Sequence, residues 1–252
     1  MKKILPLILI SILCVFSLSA CGQKGEYPYR DIELVIPASP GGGSDIMGRL
    51  LVEIIQNKKL CPRTITPVNK AGGGGSAGQA YVNAKTDPDH TIFTINDAHT
   101  IAANVSGTRP EGNFTPIAML AADEVLFVTG GNSPYTTMDE AIEAIKANPL
   151  GLTVGCADQL DKICVYDINN SYGVQFNNTY FDSAGEIATA IMGGHVEFGM
   201  FNPSECASLV EAGELKALAV FATERMGPPF EDVPTFTEMG HSDLVFAMTR
   251  GI

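Results

Sequence analysis

Basic residues are scarce: 16 lysines and arginines stand against 28 acids, for a net charge of −12. A chain of that sign has no electrostatic footprint for a phosphate backbone, which excludes nucleic acid as a partner. Histidine is scarcer still, with four residues. Neither a metal-ligand cluster nor a Walker sequence is present, so no metal and no cofactor is expected. Long apolar runs are missing beyond the N-terminus; the best, residues 215–222, is interrupted by Lys216 and falls far short of the roughly twenty residues a spanning helix needs. No internal repeat is visible, which excludes a solenoid. Glycine and proline, 26 and 15 of 252 residues, stay below the roughly 25–30% of low-complexity chains. What is there is a 45% hydrophobic chain, enough for one large domain or two small ones.

The N-terminus reads as an address. Lys2 and Lys3 precede an apolar stretch at residues 4–18, too short to span a bilayer and of the length of a secretory signal. It ends in LSAC, residues 18–21, which resembles a bacterial lipobox: residues 1–20 are expected to be removed, Cys21 to be lipidated, and 21–26 to form a tether. Two or three acyl chains hold a protein on a membrane without a spanning helix. The remainder is expected outside the cytoplasm, where disulfides are permitted. Cys61, Cys156, Cys164 and Cys206 allow three connectivities; a Cys156–Cys164 bridge across one loop and four reduced thiols both remain open.

Strands and helices alternate along the chain. Residues 31–36 read as a strand, followed by glycines and a helix starting at Ser44 as N-cap, with Asp45 in its first turn. Residues 64–68, the glycine run 72–75 and a helix capped by Ser76 repeat the pattern. Residues 89–94 give a third strand, and 117–121 with 125–128 a fourth, extended one. Thr137 and Glu140 form a capping box opening a helix that stops before Pro149. A strand at 152–155, a loop at 156–161, a helix at 163–172, and a further alternating series to residue 222 complete the reading. Such alternation argues for an α/β fold with mostly parallel sheets flanked by helices.

Glycine at a helix N-terminus lets an anion approach unpaired amides and the positive end of the helix dipole. The turns at 41–44 and 72–76 can each hold an anionic oxygen, or be tight turns and nothing more. The second also spells a dinucleotide fingerprint, Gly73, Gly75 and Gly78, and a nucleophile elbow, Gly74, Ser76 and Gly78. A tetraglycine run satisfies both cheaply, and neither sits after the strand its motif requires. His90 and His195 lie in turns and read as exposed; His99, near a strand end, reads as a surface imidazole or a ligand contact.

Several stretches together resemble the tripartite tricarboxylate transporter substrate-binding proteins, the Bug family: YPYRDIELVIPASPGGGSD at 27–45, PVNKAGGGGSAG at 67–78, FTPIAMLA at 114–121, ANP at 147–149, MGGHVE at 192–197, AGELKALAV at 212–220, DVPT at 232–235 and EMG at 238–240. The resemblance runs through nearly all of the mature chain. It implies a two-domain, periplasmic-binding-protein-like (type II) fold that closes on a small organic carboxylate and delivers it to integral membrane permease subunits, without chemistry of its own. Domain 1 would comprise 27–122 plus 221–252 and domain 2 residues 123–220, with hinges near 121–123 and 221–223. The resemblance places the ligand on Ala38, Pro40, Gly41, Gly42, Gly43, Ser44 and Asp45, and on Gly74, Gly75 and Ser76, largely through backbone amides and water. Asn96, Asp97, Asp158, Phe181 and Asp182 would complete the cleft. Relatives continue beyond the last residue here, so a C-terminally truncated first domain, less stable and with an exposed patch, is expected. The protein is expected to be a monomer attached to the membrane by its lipid alone.

One departure bears on the ligand. Asp158, Asp161 and Asp182 stand where relatives carry Gly-Ser-rich or basic segments, and would repel a second carboxylate if they face it. A monocarboxylate, or a ligand with an amine or neutral polar end, is therefore expected rather than citrate. The alternatives are an extracytoplasmic serine hydrolase using Ser76, a receptor that senses without transport, and a receptor feeding another importer class.

Overall fold

The computed structural model describes residues 25–107 and 114–252. The expected signal segment and Cys21 lie outside the described residues. Three sheets carry the fold. β1 (Ile32–Ile36) lies between β2 (Ile65–Asn69) and β3 (Thr91–Phe93), all parallel. Its apolar sequence is buried on both faces, as a central parallel strand requires. α1 (Gly43–Asn57) and α2 (Ser76–Asn83) follow β1 and β2 and pack beside them. Gly78 lets α2 come close: a Cβ there would sit 2.6 Å from Cβ of Pro37.

The second sheet runs β10 (Leu215–Val220), β6 (Leu126–Gly130), β9 (Phe198–Phe201), β7 (Thr153–Cys156), β8 (Asn177–Tyr180). β9, β7 and β8 are mutually parallel, as the strand–helix alternation implies; β6 and β10 run antiparallel to their neighbours. Side chains of β6 alternate between two cores. Phe127 packs with Phe198, Phe176 and α4 (Met138–Ala147) and α5 (Gln159–Tyr172) on one face; Leu126 and Val128 pack with α6 (Ala184–Met192) and Cys206 of α7 (Pro203–Glu211) on the other. The rings of Phe127 and Phe198 stack at 5.0 Å. Phe221, Phe236 and Leu244, in the segment after β10, join the first of these cores.

The third sheet is short and antiparallel: β4 (Ile95–Asn96), β11 (Ala247–Gly251), β5 (Met119–Glu124). It corrects the reading of 117–128 as one strand. β5 and β6 are separated only by Val125 yet belong to different sheets, because the acidic pair Asp123–Glu124 interrupts the apolar run. The sequence reading also lacks β11 and α3 (Asp97–Ser106).

Helix starts shift in three places. Ser44 and Ser76 do not cap: both are inside their helices, and glycines 42 and 75 occupy the N-cap without a side-chain bond. α5 begins at Gln159 rather than 163, because Asp158 and Asp161 form a reciprocal capping box that turns the expected loop into helix. The capping box of Thr137 and Glu140 opens α4 as expected. His90 is not exposed but buried between the rings of Tyr27 and Tyr29, at 4.9 and 4.2 Å.

Candidate functional site

Both glycine turns open on one cleft of about 290 Å³. The α1 turn contributes Ala38, Gly42, Gly43 and Ser44 to its lining, and the second turn Gly74 and Gly75; Asn96, Asp158, Phe181 and Asp182 line it too. Pro40, Gly41, Asp45, Ser76 and Asp97 do not reach it.

Those that stay outside have structural partners. Asp45, buried beneath the first turn, accepts from Gly41 N (3.1 Å), Arg49 Nε (2.9 Å) and Asn69 Nδ2 (2.8 Å), and so fixes the loop that presents Gly42 and Gly43. Burial pushes its carboxyl up, but the bonds from Arg49, Asn69 and Gly41 outweigh that and hold it below the ordinary value. Asp97 accepts from Thr249 N (2.9 Å) and Oγ1 (2.5 Å), tying α3 to β11. Ser76 Oγ donates to the Gly73 carbonyl (2.9 Å). A serine nucleophile is instead activated by a base accepting its proton, so this contact gives the hydrolase alternative no support.

The second turn is built from glycines 72–75, with φ of 124°, 59°, 63° and 96°, a left-handed run open to glycine. It packs on α3: a Cβ on Gly75 would meet His99 Cδ2 at 2.5 Å. Asn96 caps α3, its Oδ1 accepting from His99 N (2.8 Å), while its Nδ2 donates to Ser44 Oγ (3.4 Å) and so couples the two turns. His99 lines the cleft and is only 5% exposed, which corrects the surface reading. Burial, aided by the charge of Arg250, pushes its pKa down to about 4, so the imidazole is neutral at pH 7. Its Nδ1 has no partner among the described residues.

The facing wall comes from the five-stranded sheet and is acidic. Asp158 Oδ1 accepts from Asp161 N (3.0 Å), and Asp161 Oδ2 from Ala157 N (2.7 Å). Burial pushes both carboxyls up, Asp161 further because the charge of Asp158 adds to it. Glu205 in the first turn of α7 is raised by burial as well. The lining thus holds four acids, Asp158, Asp161, Asp182 and Glu205, against Lys162 and Arg250. Lys162 Nζ lies 4.4 Å from the ring of Tyr180.

Sequence reasoning missed Glu205, Asn202 and Arg250. Arg250 is 3% exposed, forms an ion pair with Asp123 and donates to Asn202 Oδ1 (2.6 Å). Gly43 makes room for it, since a Cβ there would lie 2.3 Å from the guanidinium. Asn202, Pro203 and Glu205 spell a helix start that was readable; their contacts with residues 43 and 250 are too distant in sequence to be.

Cys156 and Cys164 are not bridged: both are free, as are Cys61 and Cys206. Burial pushes the Cys156 and Cys164 thiols up, and that of Cys206 to about 12. Thiolate is the reactive form. Of these four, the half-buried Cys61 is expected to react first with a thiol reagent in native buffer, and the other three only on unfolding. Peptide mapping after limited labelling checks this; early label on Cys156 would contradict it.

Residues 51–251 match the family described as "Tripartite tricarboxylate transporter family receptor". The chain is similar to the "UPF0065 protein in gbd 5'region" of Cupriavidus necator, 30% identical over 232 residues, covering 89% of this chain and 68% of that protein. Among solved structures it superposes on the periplasmic binding protein BugD with a TM-score of 0.80, at 22% identity over 89% of this chain and 76% of that one. It superposes likewise on MatC from Rhodopseudomonas palustris with bound malate, TM-score 0.79, 24% identity, covering 89% and 78%. The α/β architecture is therefore the two-domain, type II-like fold of periplasmic binding proteins.

Proposed function

Because the chain belongs to the tripartite tricarboxylate transporter receptor family, we propose that it is an extracytoplasmic solute-binding protein that captures a small organic carboxylate and passes it to integral membrane permease subunits. The observation that carries this is the convergence of both glycine turns and neutral His99 on one cleft. Backbone amides and an uncharged imidazole hold a carboxylate without a permanent countercharge, which suits a site that must also release it. The malate in MatC is the same class of ligand.

The same proposal holds the protein at the membrane by lipid on Cys21; among the described residues no helix is long and apolar enough to cross a membrane. It keeps the two domains, expected as residues 27–122 plus 221–252 and residues 123–220, but moves the second boundary. The packing of Phe221, Phe236 and Leu244 against the five-stranded sheet favours a return hinge nearer Ala247 than Phe221.

Thermal-shift titration against mono-, hydroxy-, amino- and dicarboxylic acids tests the reading. A ligand at 100 times its Kd adds about 2.7 kcal/mol to the native state, so at least one acid is expected to raise Tm by several degrees. No response to any acid, in a protein with intact cooperative unfolding, would refute carboxylate capture.

A further inference from the structure

We propose that Glu205 sets the ligand class of the cleft, filling the anion seat at the start of α1 with its own carboxylate so that the site takes a small monocarboxylate whose other end donates hydrogen bonds, an ammonium above all. This rests on the carboxylate-binding reading above and specifies it.

The amide of Gly43, the first residue of α1, is one of the donors a ligand carboxylate would seek. It is already engaged: Gly43 N donates to Glu205 Oε1 at 2.5 Å. The other oxygen, Oε2, accepts from Asn202 N at 2.9 Å, so the carboxylate is pinned at both ends on the first turn of α7. A second ligand carboxylate brought to this end would displace Glu205 or lie against its charge, with Asp158 and Asp161 on the same wall. An ammonium there meets three carboxyl groups instead. The charge of Arg250 reaches Asp158 and Glu205 and offsets part of theirs, but Asp123 already pairs with it and the lining acids still outnumber the cations.

The second glycine turn, in the same cleft, has the reverse character. Gly74 and His99 line it with backbone and a neutral imidazole, Nδ1 of His99 being buried and unpartnered among the described residues, while the Gly75 amide donates to the Gly72 carbonyl at 3.2 Å. The second turn accepts an anion, and the Glu205 side rejects one. Discrimination of this kind comes from an interaction built against the wrong ligand as much as from contacts to the right one.

Three probes with four-carbon backbones separate the possibilities: butyrate, succinate and γ-aminobutyrate, titrated calorimetrically into the wild-type protein, Glu205→Gln and Glu205→Ala. Glu205→Gln keeps the side-chain length, removes the charge and retains one of the two acceptor oxygens, which guards against misfolding in the alanine variant. The wild type is expected to bind γ-aminobutyrate at least tenfold more tightly than succinate. Both variants should raise the affinity ratio of succinate to butyrate at least tenfold and lower that of γ-aminobutyrate to butyrate. Equal preference for succinate and γ-aminobutyrate in the wild type overturns the proposal. So does an unchanged succinate-to-butyrate ratio in both variants, which would make Glu205 a competitor for a single anion seat. If none of the probes binds any of the three folded proteins, while other acids shift Tm, Glu205 selectivity fails alone; if no acid does, the carboxylate reading fails with it.

Discussion

Arg250→Ala is expected to be among the most destabilising single substitutions in this protein, costing about 3 kcal/mol, the lower end of what removing one partner of a buried ion pair costs. The guanidinium lies at the meeting of three elements: it projects from β11, pairs with Asp123 of β5, and donates to Asn202 at the start of α7. Its removal leaves the Asp123 carboxylate and the Asn202 oxygen without their donor, and empties the space against Gly43. Asp123 keeps some solvent contact, its side chain being 23% exposed, which is why the lower end applies. For a chain of this size, 1 kcal/mol corresponds to roughly 2–4 °C, so Tm should fall by roughly 6–12 °C.

Arg30→Ala is the control. Arg30 pairs with Asp87 at 2.8 Å, but both side chains are nearly half exposed, and a surface pair of that kind is worth at most about 1 kcal/mol. Asp123→Asn in the Arg250→Ala background should recover part of the loss, because it removes the orphaned charge. If Arg250→Ala lowers Tm no more than Arg30→Ala, the buried cation is not what joins β11 to α7.

The residues that were legible in the sequence are those whose role is local. Glycine 72–75 must adopt left-handed backbone, and the run says so without any partner. Thr137 and Glu140 satisfy each other across three residues, so their capping box can be read directly. The strand–helix order follows from apolar spacing, and the element types through 222 agree with it except at 97–106. There Ala98, Ile101, Ala102 and Val105 do fall at helical spacing behind the cap at Asn96, so α3 was readable although the sequence reading lacks it; its buried face is the small one of Ala98, Ala102 and Ala103, with Val105 exposed. β11, by contrast, was illegible. AMTRG has little strand character, and its partners lie about 125 and 155 residues earlier, so pairing decides what propensity does not. The same distance hid the site's charge logic. Asp158 and Asp161 were visible as acids, but their partnership with Glu205 and the burial of His99 arise only when α3, α5 and α7 converge.

That convergence yields the second large effect, a pH dependence in which His99 and Asp161 pull in opposite directions. His99 has its pKa depressed from 6.5 to about 4 in the folded protein, so the unfolded chain binds the extra proton first. Its contribution is complete above pH 6.5 and is lost as pH falls toward 4, roughly 3 kcal/mol in all. Asp161 has the reverse sign: burial and the neighbouring Asp158 raise its carboxyl well above 3.8, so its contribution is complete below the ordinary carboxylate value and is lost as pH rises through the folded one. Asp158 and Glu205, raised by burial, act in the same sense as Asp161. Between pH 4 and 6.5 the loss from His99 and the gain from these acids therefore oppose each other in the wild type. His99→Gln removes the acid-side loss, so its stability relative to wild type should rise by about 2–3 kcal/mol between pH 7 and pH 4.5, whatever its offset at neutral pH. Asp161→Asn should move the other way, losing ground to wild type on acidification. Urea unfolding at the two pH values measures both differences. Parallel curves for wild type and His99→Gln would mean that His99 titrates in the fold as it does in the unfolded chain, and that the imidazole beside Gly75 is not held neutral by burial.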